Sequence, residues 1–157
     1  MPTQNIVYYR SPLGVIKLVS KSEALRSISF EDKQPLSTQN DSSAILSKAL
    51  SQLDEYFNGN RTSFSLSLSP EGTTFQQSVW KTLQQIPHGQ TISYGELAER
   101  LGDPNKVRAV GKANGKNPIP IVIPCHRVIG ADNSLVGYSG GIDRKKYLLK
   151  HEGALLI

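Results

Sequence analysis

A single cysteine followed by a histidine and an arginine is the most reactive cluster in this chain. Cys125, His126 and Arg127 stand together in the run Ile-Pro-Cys-His-Arg-Val, and the 157 residues contain one cysteine. A thiolate is a strong nucleophile, but a free cysteine has a pKa of about 8.5 and is mostly protonated at neutral pH. A neighbouring imidazole and a neighbouring cation promote the thiolate, so the run predicts a nucleophilic cysteine. The alternative is a small buried apolar residue, the commoner role of a lone cysteine.

The residues around this run favour a tight turn. Pro124 lacks a backbone donor and has a fixed φ, and Gly130 follows soon after. Cys125 and His126 would point to opposite faces of a regular strand. A relay between nucleophile and base therefore requires a bent turn or a bridging water.

Composition describes a basic chain with no candidate membrane span. The formal net charge is +5. Segment 104–131 contains no acid, and its basic residues are Lys106, Arg108, Lys112, Lys116 and Arg127. Such a segment indicates a surface for a polyanion, the alternative being a solvated basic face. A single cysteine excludes an internal disulfide and a multi-cysteine zinc site, and fits a reducing compartment. With no apolar span and no secretory signal, we expect a cytoplasmic protein.

The first part of the chain predicts a small sheet with one helix. Runs rich in β-branched and aromatic residues indicate strands over 5–10, 15–20 and 25–30. Apolar residues at three- and four-residue spacing predict a helix over 42–57, and alternation with serine predicts another strand over 64–68. A linker at 70–73 divides the chain into an N-terminal α/β structural domain, 1–69, and a C-terminal domain, 70–157.

The second part predicts mainly helices. An apolar stripe indicates a helix over 74–86, and Ser93 with Glu96 has capping-box spacing for a helix over 93–101. A glycine-containing turn and a helix over 106–113 complete a helix-turn-helix, the alternative being plain helix packing. Because the second helix carries small residues instead of base-reading amides, we expect it to enter the minor groove. Arg108 would then hold open the space of an extruded nucleotide.

These motifs together resemble the O6-alkylguanine-DNA alkyltransferases. The similarity is dense over 72–153 and weak before it. Its motifs are Arg-Ala-Val-Gly-x-Ala from Arg108, Asn117-Pro118, Ile-Pro-Cys-His-Arg-Val, Ser93-Tyr94-Gly95, Gly137-Tyr138, Gly140-Gly141, Lys145 and His151-Glu152-Gly153. The resemblance implies an α+β protein with a small ribonuclease H-like N-terminal domain. A mostly helical C-terminal domain with a winged-helix-like helix-turn-helix would follow.

The resemblance also implies single-use DNA repair. The alkyl group of O6-alkylguanine, less efficiently of O4-alkylthymine, would pass irreversibly to Cys125 after the nucleotide is flipped out of duplex DNA. His126 would act as a base through a water, Glu152 would orient it, and Asn117 would support the turn. Tyr94 would contact the phosphate and help rotate the nucleotide. The residues implied to line or close the pocket are Tyr94, Val128, Tyr138, Ser139 and Lys145. Those implied to contact DNA are Arg108, Lys106, Ala109, Gly111, Lys112, Ala113, Lys116 and Arg127.

Three rival functions remain at this stage. A non-catalytic lesion sensor would keep the helix-turn-helix and the arginine but lack a reactive cysteine, so Cys125 argues against it. A cysteine hydrolase would need an oxyanion hole and a turnover step. A methyltransferase using S-adenosylmethionine would need a strand, a glycine-rich loop and a helix in a βαβ unit, which the sequence lacks. We expect no cofactor, no metal, and a monomer in solution, with clustering on DNA left open.

Overall fold

The computed structural model describes residues 4–31, 43–132, 134–135, 138 and 140–154. The chain divides into two compact units, Met1–Glu71 and Gly72–Ile157. The first unit contains a sheet and one helix, and the second contains four helices and a short strand pair within the described ranges.

The first unit is built on a three-stranded antiparallel sheet. Its strands are β1 (Gln4–Ser11), β2 (Gly14–Lys21) and β3 (Ala24–Glu31), in the order β1-β2-β3. Ser22 and Glu23 both have positive φ, 54° and 62°, at the tight turn between β2 and β3. This is the backbone of a two-residue hairpin turn whose twist matches that of the strands.

One helix covers one face of this sheet. Helix α1 (Ala44–Phe57) packs against all three strands. Side chains from both elements are fully buried there, among them Val7, Ile16 and Leu18 of the sheet and Leu46 and Leu53 of the helix. The period-two pattern of the strands and the helical stripe thus form a single apolar core.

The predicted strand over 64–68 is wrong. The segment makes only an isolated parallel bridge, between Leu25 and Leu68. Its backbone is bonded partly to a side chain, because the Ser65 amide donates to Gln52 Oε1 at 2.9 Å. Gln52 lies on the buried face of α1. The alternating serine and apolar residues therefore form an extended segment that is hydrogen-bonded to helix α1. They do not form a continuous strand.

The second unit is mainly helical. Its helices are α2 (Thr74–Leu83), α3 (Tyr94–Arg100), α4 (Val107–Gly115) and α5 (Ile142–His151). Two short strands, β4 (Ile92–Ser93) and β5 (Val128–Ile129), pair in parallel. A 3₁₀ turn over Pro104–Lys106 leads from α3 to α4, so the predicted helix-turn-helix is present. Helix α2 ends before the predicted 86, and α4 starts and ends later than predicted.

Local capping and one indole position these helices. The capping box of Ser93 and Glu96 is formed at the start of α3, and Thr73 with Gln76 forms a second box at the start of α2. Trp80 is buried, and its Nε1 donates to the carbonyl of Ala113 at 2.9 Å. Since Ala113 lies near the end of α4, the indole fixes that end against α2. In the described ranges, no helix has the length and apolar character that crossing a bilayer requires.

Candidate active site and DNA-facing helix

The thiol lies on a bent turn. Cys125–Arg127 forms a 3₁₀ turn, in which the Arg127 amide donates to the Pro124 carbonyl at 3.0 Å. The side chains therefore do not alternate as they would on a strand. Cys125 is 3% exposed and His126 is fully buried. The bent turn that a relay between the two residues requires is present.

One amide closes the loop that leads into this turn. Asn117 Nδ2 donates to the Ile123 carbonyl at 2.7 Å, and Asn117 Oδ1 accepts from the Ile119 amide at 2.9 Å. Between them, Ile121 is buried with a φ of 74°, which is rare for a β-branched residue. Asn117 thus holds a strained backbone in the shape that places Cys125.

The thiol is protonated at neutral pH. Burial raises the pKa of Cys125 to about 11, although a hydrogen bond from Asn117 and the nearby charge of Lys145 lower it. The expectation that Arg127 promotes the thiolate is wrong, because its guanidinium binds Glu152 and the Ile86 carbonyl. Deprotonation of Cys125 therefore requires a base that acts during the reaction.

A buried carboxylate orients the neighbouring histidine. Glu152 Oε2 lies 2.8 Å from His126 Nε2, and both side chains are inaccessible to solvent. Burial raises the pKa of Glu152, but hydrogen bonds from His126 and Arg127 outweigh burial and hold this pKa below its ordinary range. Burial also lowers the pKa of His126 despite the carboxylate. The histidine is therefore neutral, and because a carboxylate only accepts, Nε2 carries its hydrogen.

The other histidine nitrogen is available as a base. In a neutral imidazole whose Nε2 carries the hydrogen, Nδ1 has a lone pair. His126 Nδ1 is buried and has no hydrogen-bond partner among the described residues. The arrangement combines a nucleophile, a base and an acid that orients the base, as general base catalysis at a thiol requires.

Arg127 is a structural residue, and its predicted DNA contact is wrong. Its Nε and Nη2 donate to the two oxygens of Glu152 at 2.8 and 2.9 Å, and its Nη1 donates to the Ile86 carbonyl at 2.6 Å. The side chain is 8% exposed. A guanidinium that is buried and bonded through all three nitrogens cannot reach a phosphate.

Several of the predicted pocket residues lie together. Lys145 Nζ donates to the Val128 carbonyl at 2.6 Å and lies 5.9 Å from the ring centroid of Tyr94. Burial lowers the pKa of Lys145 to about 8, although Cys125 opposes the shift. Tyr138 is also buried, and its pKa is raised well above the ordinary value by burial and by its proximity to Cys125. Ser139 lies outside the described residues.

Asn114 belongs to this site, and the sequence analysis missed it. It is 1% exposed on α4, and its Nδ2 donates to the Cys125 carbonyl at 3.4 Å. One sequence feature points to it. Asn114 shares the buried face of α4 with Val110 and Ala113, where an apolar residue is the rule.

Helix α4 presents a basic face to solvent. Arg108, Lys112 and Lys116 follow one another at four-residue spacing, and all three are exposed. Ala109 is exposed and Gly111 is partly exposed beside them. Lys106 is exposed as well, and its Nζ lies 5.5 Å from the ring centroid of Phe75. The predicted DNA contact of Ala113 is wrong, because this residue is 3% exposed and is buried together with Val110 and Asn114.

The arrangement of possible metal ligands around Cys125 limits which other chemistry this site can perform. In the described ranges, no group of three His, Cys, Asp or Glu side chains is arranged to hold a metal ion. The carboxylate of Glu152 is bonded to His126 and Arg127 of the thiol turn. The residues present thus favour nucleophilic chemistry at Cys125 beside a basic helix.

Comparison with known proteins agrees with this arrangement. Residues 74–154 match the model of the 6-O-methylguanine DNA methyltransferase DNA binding domain, and residues 6–70 match that of its ribonuclease-like domain. A methylated-DNA–protein-cysteine methyltransferase of Methanosarcina acetivorans is 45% identical over 150 residues, which cover 93% of this chain and 96% of the relative. The two domain matches confirm the predicted two-part α+β fold.

Solved structures of relatives have the same fold. The Mycobacterium tuberculosis O6-methylguanine methyltransferase has a TM-score of 0.86 at 44% identity, covering 97% of this chain and 94% of that one. The M. tuberculosis protein OGT in complex with DNA has a TM-score of 0.85 at 44% identity, covering 95% and 92%. Family matches that span both units, together with relatives at this identity, establish that the chain belongs to the 6-O-methylguanine DNA methyltransferase family.

Proposed function

We propose that this protein repairs DNA by taking the alkyl group of O6-alkylguanine onto its own Cys125. The observation that carries the proposal is the buried Cys125 thiol on a turn whose next residue, His126, is a neutral base held by Glu152 at 2.8 Å. Relatives of similar length that are named methylated-DNA–protein-cysteine methyltransferases support the same reaction. A lesion sensor without a reactive cysteine has no use for this relay.

The reaction begins with removal of the thiol proton. His126 Nδ1 takes the proton of Cys125 through a water, and Glu152 stabilises the imidazolium that forms. The sulfur then attacks the alkyl carbon, a carbon–sulfur bond forms, and the bond from that carbon to guanine O6 breaks. The electron pair stays on the guanine, which accepts a proton. The products are a thioether on Cys125 and an unmodified guanine.

The leaving guanine needs a hydrogen-bond donor. Tyr94, Lys145 and Ser139 carry suitable hydrogens, and the first two lie close together. Val128, whose carbonyl accepts from Lys145, and the buried Tyr138 complete the pocket in this proposal. Asn117 keeps the turn in shape. The same pocket accepts O4-alkylthymine less efficiently.

The reaction occurs once per protein molecule. A thioether between an alkyl group and cysteine is not hydrolysed under ordinary conditions. The buried His126 is bonded to Glu152, and in this proposal it serves only the removal of the thiol proton. We therefore propose an irreversible and stoichiometric transfer that needs no cofactor.

The partner is duplex DNA that carries the lesion. The exposed Arg108, Lys112 and Lys116 face of α4, with Lys106, supplies positive charge for phosphates. Ala109 and Gly111 are small enough to let this helix approach the minor groove closely. Arg108 fills the space that the flipped nucleotide leaves. We propose a monomer in solution that can cluster on DNA, and a cytoplasmic location, where a thiol stays reduced.

The test is the intact mass of the protein after it is mixed with duplex DNA that carries one O6-methylguanine, followed by peptide mapping. We expect a gain of one methyl group on Cys125, saturating at one per protein, and no gain in the Cys125→Ser variant. An unchanged mass with tight binding to the lesion would establish a sensor instead. An unchanged mass without binding would reject both functions.

A further inference from the structure

One carboxylate oxygen in the site is shared between the histidine and a cation. Glu152 Oε2 lies 2.8 Å from His126 Nε2 and accepts from Arg127 Nη2 at 2.9 Å. The second oxygen, Oε1, accepts from Arg127 Nε at 2.8 Å. The guanidinium therefore binds the carboxylate through two hydrogen bonds, the strongest form of this contact, whereas the imidazole binds it through one.

Water does not screen the charges of these three side chains. The side chains of His126 and Glu152 are inaccessible to solvent, and that of Arg127 is 8% exposed. Arg127 is also held from behind, because its Nη1 donates to the Ile86 carbonyl at 2.6 Å. A buried charge requires a counter-charge in contact with it. The protonation state of the histidine therefore depends on the charges of the other two residues.

The charges of this group favour a neutral histidine. Arg127 is always protonated and Glu152 is ionised at neutral pH, so the two form a neutral pair. A neutral His126 leaves the group uncharged, whereas a protonated His126 would give it an excess positive charge in the interior. Without the guanidinium this preference would reverse. Glu152 would then be a buried anion, and a proton on His126 would neutralise it.

The other titratable groups around the histidine do not oppose this preference. Burial lowers the pKa of His126, and the hydrogen bond to Glu152 raises it. The charges of Arg127 and Lys145 lower it further. The thiol that precedes the histidine in the turn is protonated at neutral pH. His88, in the loop after α2, is neutral as well, because burial lowers its pKa against the opposing charge of Glu152.

A neutral histidine is the form that the reaction needs. His126 Nδ1 can take the proton of Cys125 only while it carries no hydrogen of its own. A carboxylate that orients an imidazole also attracts a second proton to the ring. In a buried site these two effects conflict unless a cation compensates the charge of the carboxylate.

We propose that Arg127 is a positioning residue for alkyl transfer, which keeps His126 in its basic form. By supplying the counter-charge of Glu152, it lets the carboxylate hold the imidazole in place without drawing a proton onto it. The proposal rests on the proposed function, in which His126 removes the proton of Cys125. It gives the buried guanidinium a part in the chemistry beside its part in folding.

The pH dependence of transfer tests this role. Arg127→Met removes the guanidinium, so that His126 becomes protonated at neutral pH and loses this proton as the pH rises. We expect the single-turnover rate, divided by the wild-type rate at the same pH, to be about tenfold lower at about pH 7 than at about pH 9. Equal slowing at both pH values would show that Arg127 only maintains the fold, and would overturn the proposal.

Two milder variants separate the charge of Arg127 from its hydrogen bonds. Arg127→Gln keeps a donor for the carboxylate but has no charge, whereas Arg127→Lys keeps the charge and loses the fork. We expect Arg127→Gln to show the same pH-dependent loss as Arg127→Met. Arg127→Lys should retain the pH dependence of the wild type even where its transfer is slower. Identical pH dependence in the glutamine and lysine variants would overturn the proposal.

A titration without DNA separates this proposal from the proposed function. The chain has three histidines, and the imidazole resonances of His126 are those absent from His126→Gln. We expect them to titrate at higher pH in Arg127→Gln than in the wild type, and an unchanged titration would overturn the proposal even if transfer occurs. A shifted titration with no transfer by the wild type would reject the proposed reaction alone.

The matched control is Arg61→Gln. Arg61 pairs with Glu55 in the first unit, its Nε lying 2.8 Å from Oε1 of that residue. This substitution removes the same charge at an ion pair outside the site. We expect it to change neither the pH dependence of transfer nor the titration of His126. An equal shift in this variant would overturn the proposal, because the effect would then come from net charge.

Discussion

Glu152 Oε2 lies 2.8 Å from His126 Nε2, and this contact decides which nitrogen of the imidazole is basic. The carboxylate accepts the Nε2 hydrogen, so the lone pair is on Nδ1. The same carboxylate is bound by Arg127, which makes it both the partner of His126 and the counter-ion of a buried guanidinium. Its removal should therefore affect chemistry and folding together.

Substitution Glu152→Gln should slow alkyl transfer about a hundredfold, because the base loses the partner that fixes its tautomer and stabilises its charge. It should also lower the free energy of unfolding by about 3 kcal/mol, since Arg127 is left as a buried charge without a counter-ion. Single-turnover kinetics and thermal unfolding measure the two effects.

The matched control is Glu71→Gln. Glu71 pairs with Arg26 in the first unit, and its side chain is 85% exposed. Exposed ion pairs contribute little, so neither transfer nor stability should change measurably. An equal effect of the two substitutions would show that carboxylate burial does not matter here.

The Cys125 thiol should resist ionisation. With a pKa of about 11, about 1% is thiolate at about pH 9, whereas a thiol of ordinary pKa of about 8.5 would be mostly ionised there. The ultraviolet thiolate absorbance of the wild type minus that of Cys125→Ser gives the ionised fraction. A half-ionised thiol at pH 9 would mean that the site activates the sulfur before substrate binds.

Acid should destabilise the fold in two stages. The pKa values of His126 and Glu152 are both lowered in the folded protein, so each contributes stability above its unfolded pKa and loses it as pH falls toward its folded pKa. Loss should begin below about pH 6.5, where unfolded histidine takes up a proton, and steepen below about pH 4.3, where unfolded glutamate does.

Melting temperatures measured from neutral pH downward check this order. In Glu152→Gln the second stage should be smaller, because a glutamine does not titrate. A melting temperature that stays constant between neutral pH and about pH 5 would contradict a buried neutral His126.

The basic face of α4 should contribute to binding in two ways. Lys112→Ala should weaken binding to damaged and undamaged duplexes alike and reduce the salt slope by about one, as for one lost phosphate contact. Arg108→Ala should slow transfer from duplex DNA more than transfer from single-stranded DNA, because only the duplex requires an extruded base to be held out.

Filter binding across salt concentrations and single-turnover assays on both substrates measure these effects. Lys48→Ala, at an exposed lysine of α1, serves as the control. It should change neither the affinity for DNA nor the rate of transfer. Equal slowing of Arg108→Ala on duplex and single-stranded substrates would reject its role in extrusion.

Features that depend on neighbouring residues could be predicted from the sequence. The hairpins, the capping box at Ser93 and the bent turn at Cys125 follow from residues within a few positions of one another. The strand over 64–68 failed because its alternation is equally compatible with an extended segment, and the distant Gln52 decides between the two.

Partners far apart in the chain could not be predicted in this way. Arg127 has the charge of a DNA contact, but Glu152, which lies 25 residues later, binds it in the interior. Ala113 is buried at the end of α4 that Trp80, 33 residues earlier, contacts through a hydrogen bond. Such pairs are set by tertiary packing, which local patterns do not encode.

The position of Glu152 also affects how faulty copies of this protein behave in a cell. A ribosome that stops after Arg127 and before Glu152 produces a polypeptide in which His126 and Arg127 must be buried without their acid. Such a product loses repair capacity and becomes a target for proteolysis at the same time. Nonsense and frameshift alleles that fall between Arg127 and Glu152 should therefore leave little protein that occupies damaged DNA without repairing it.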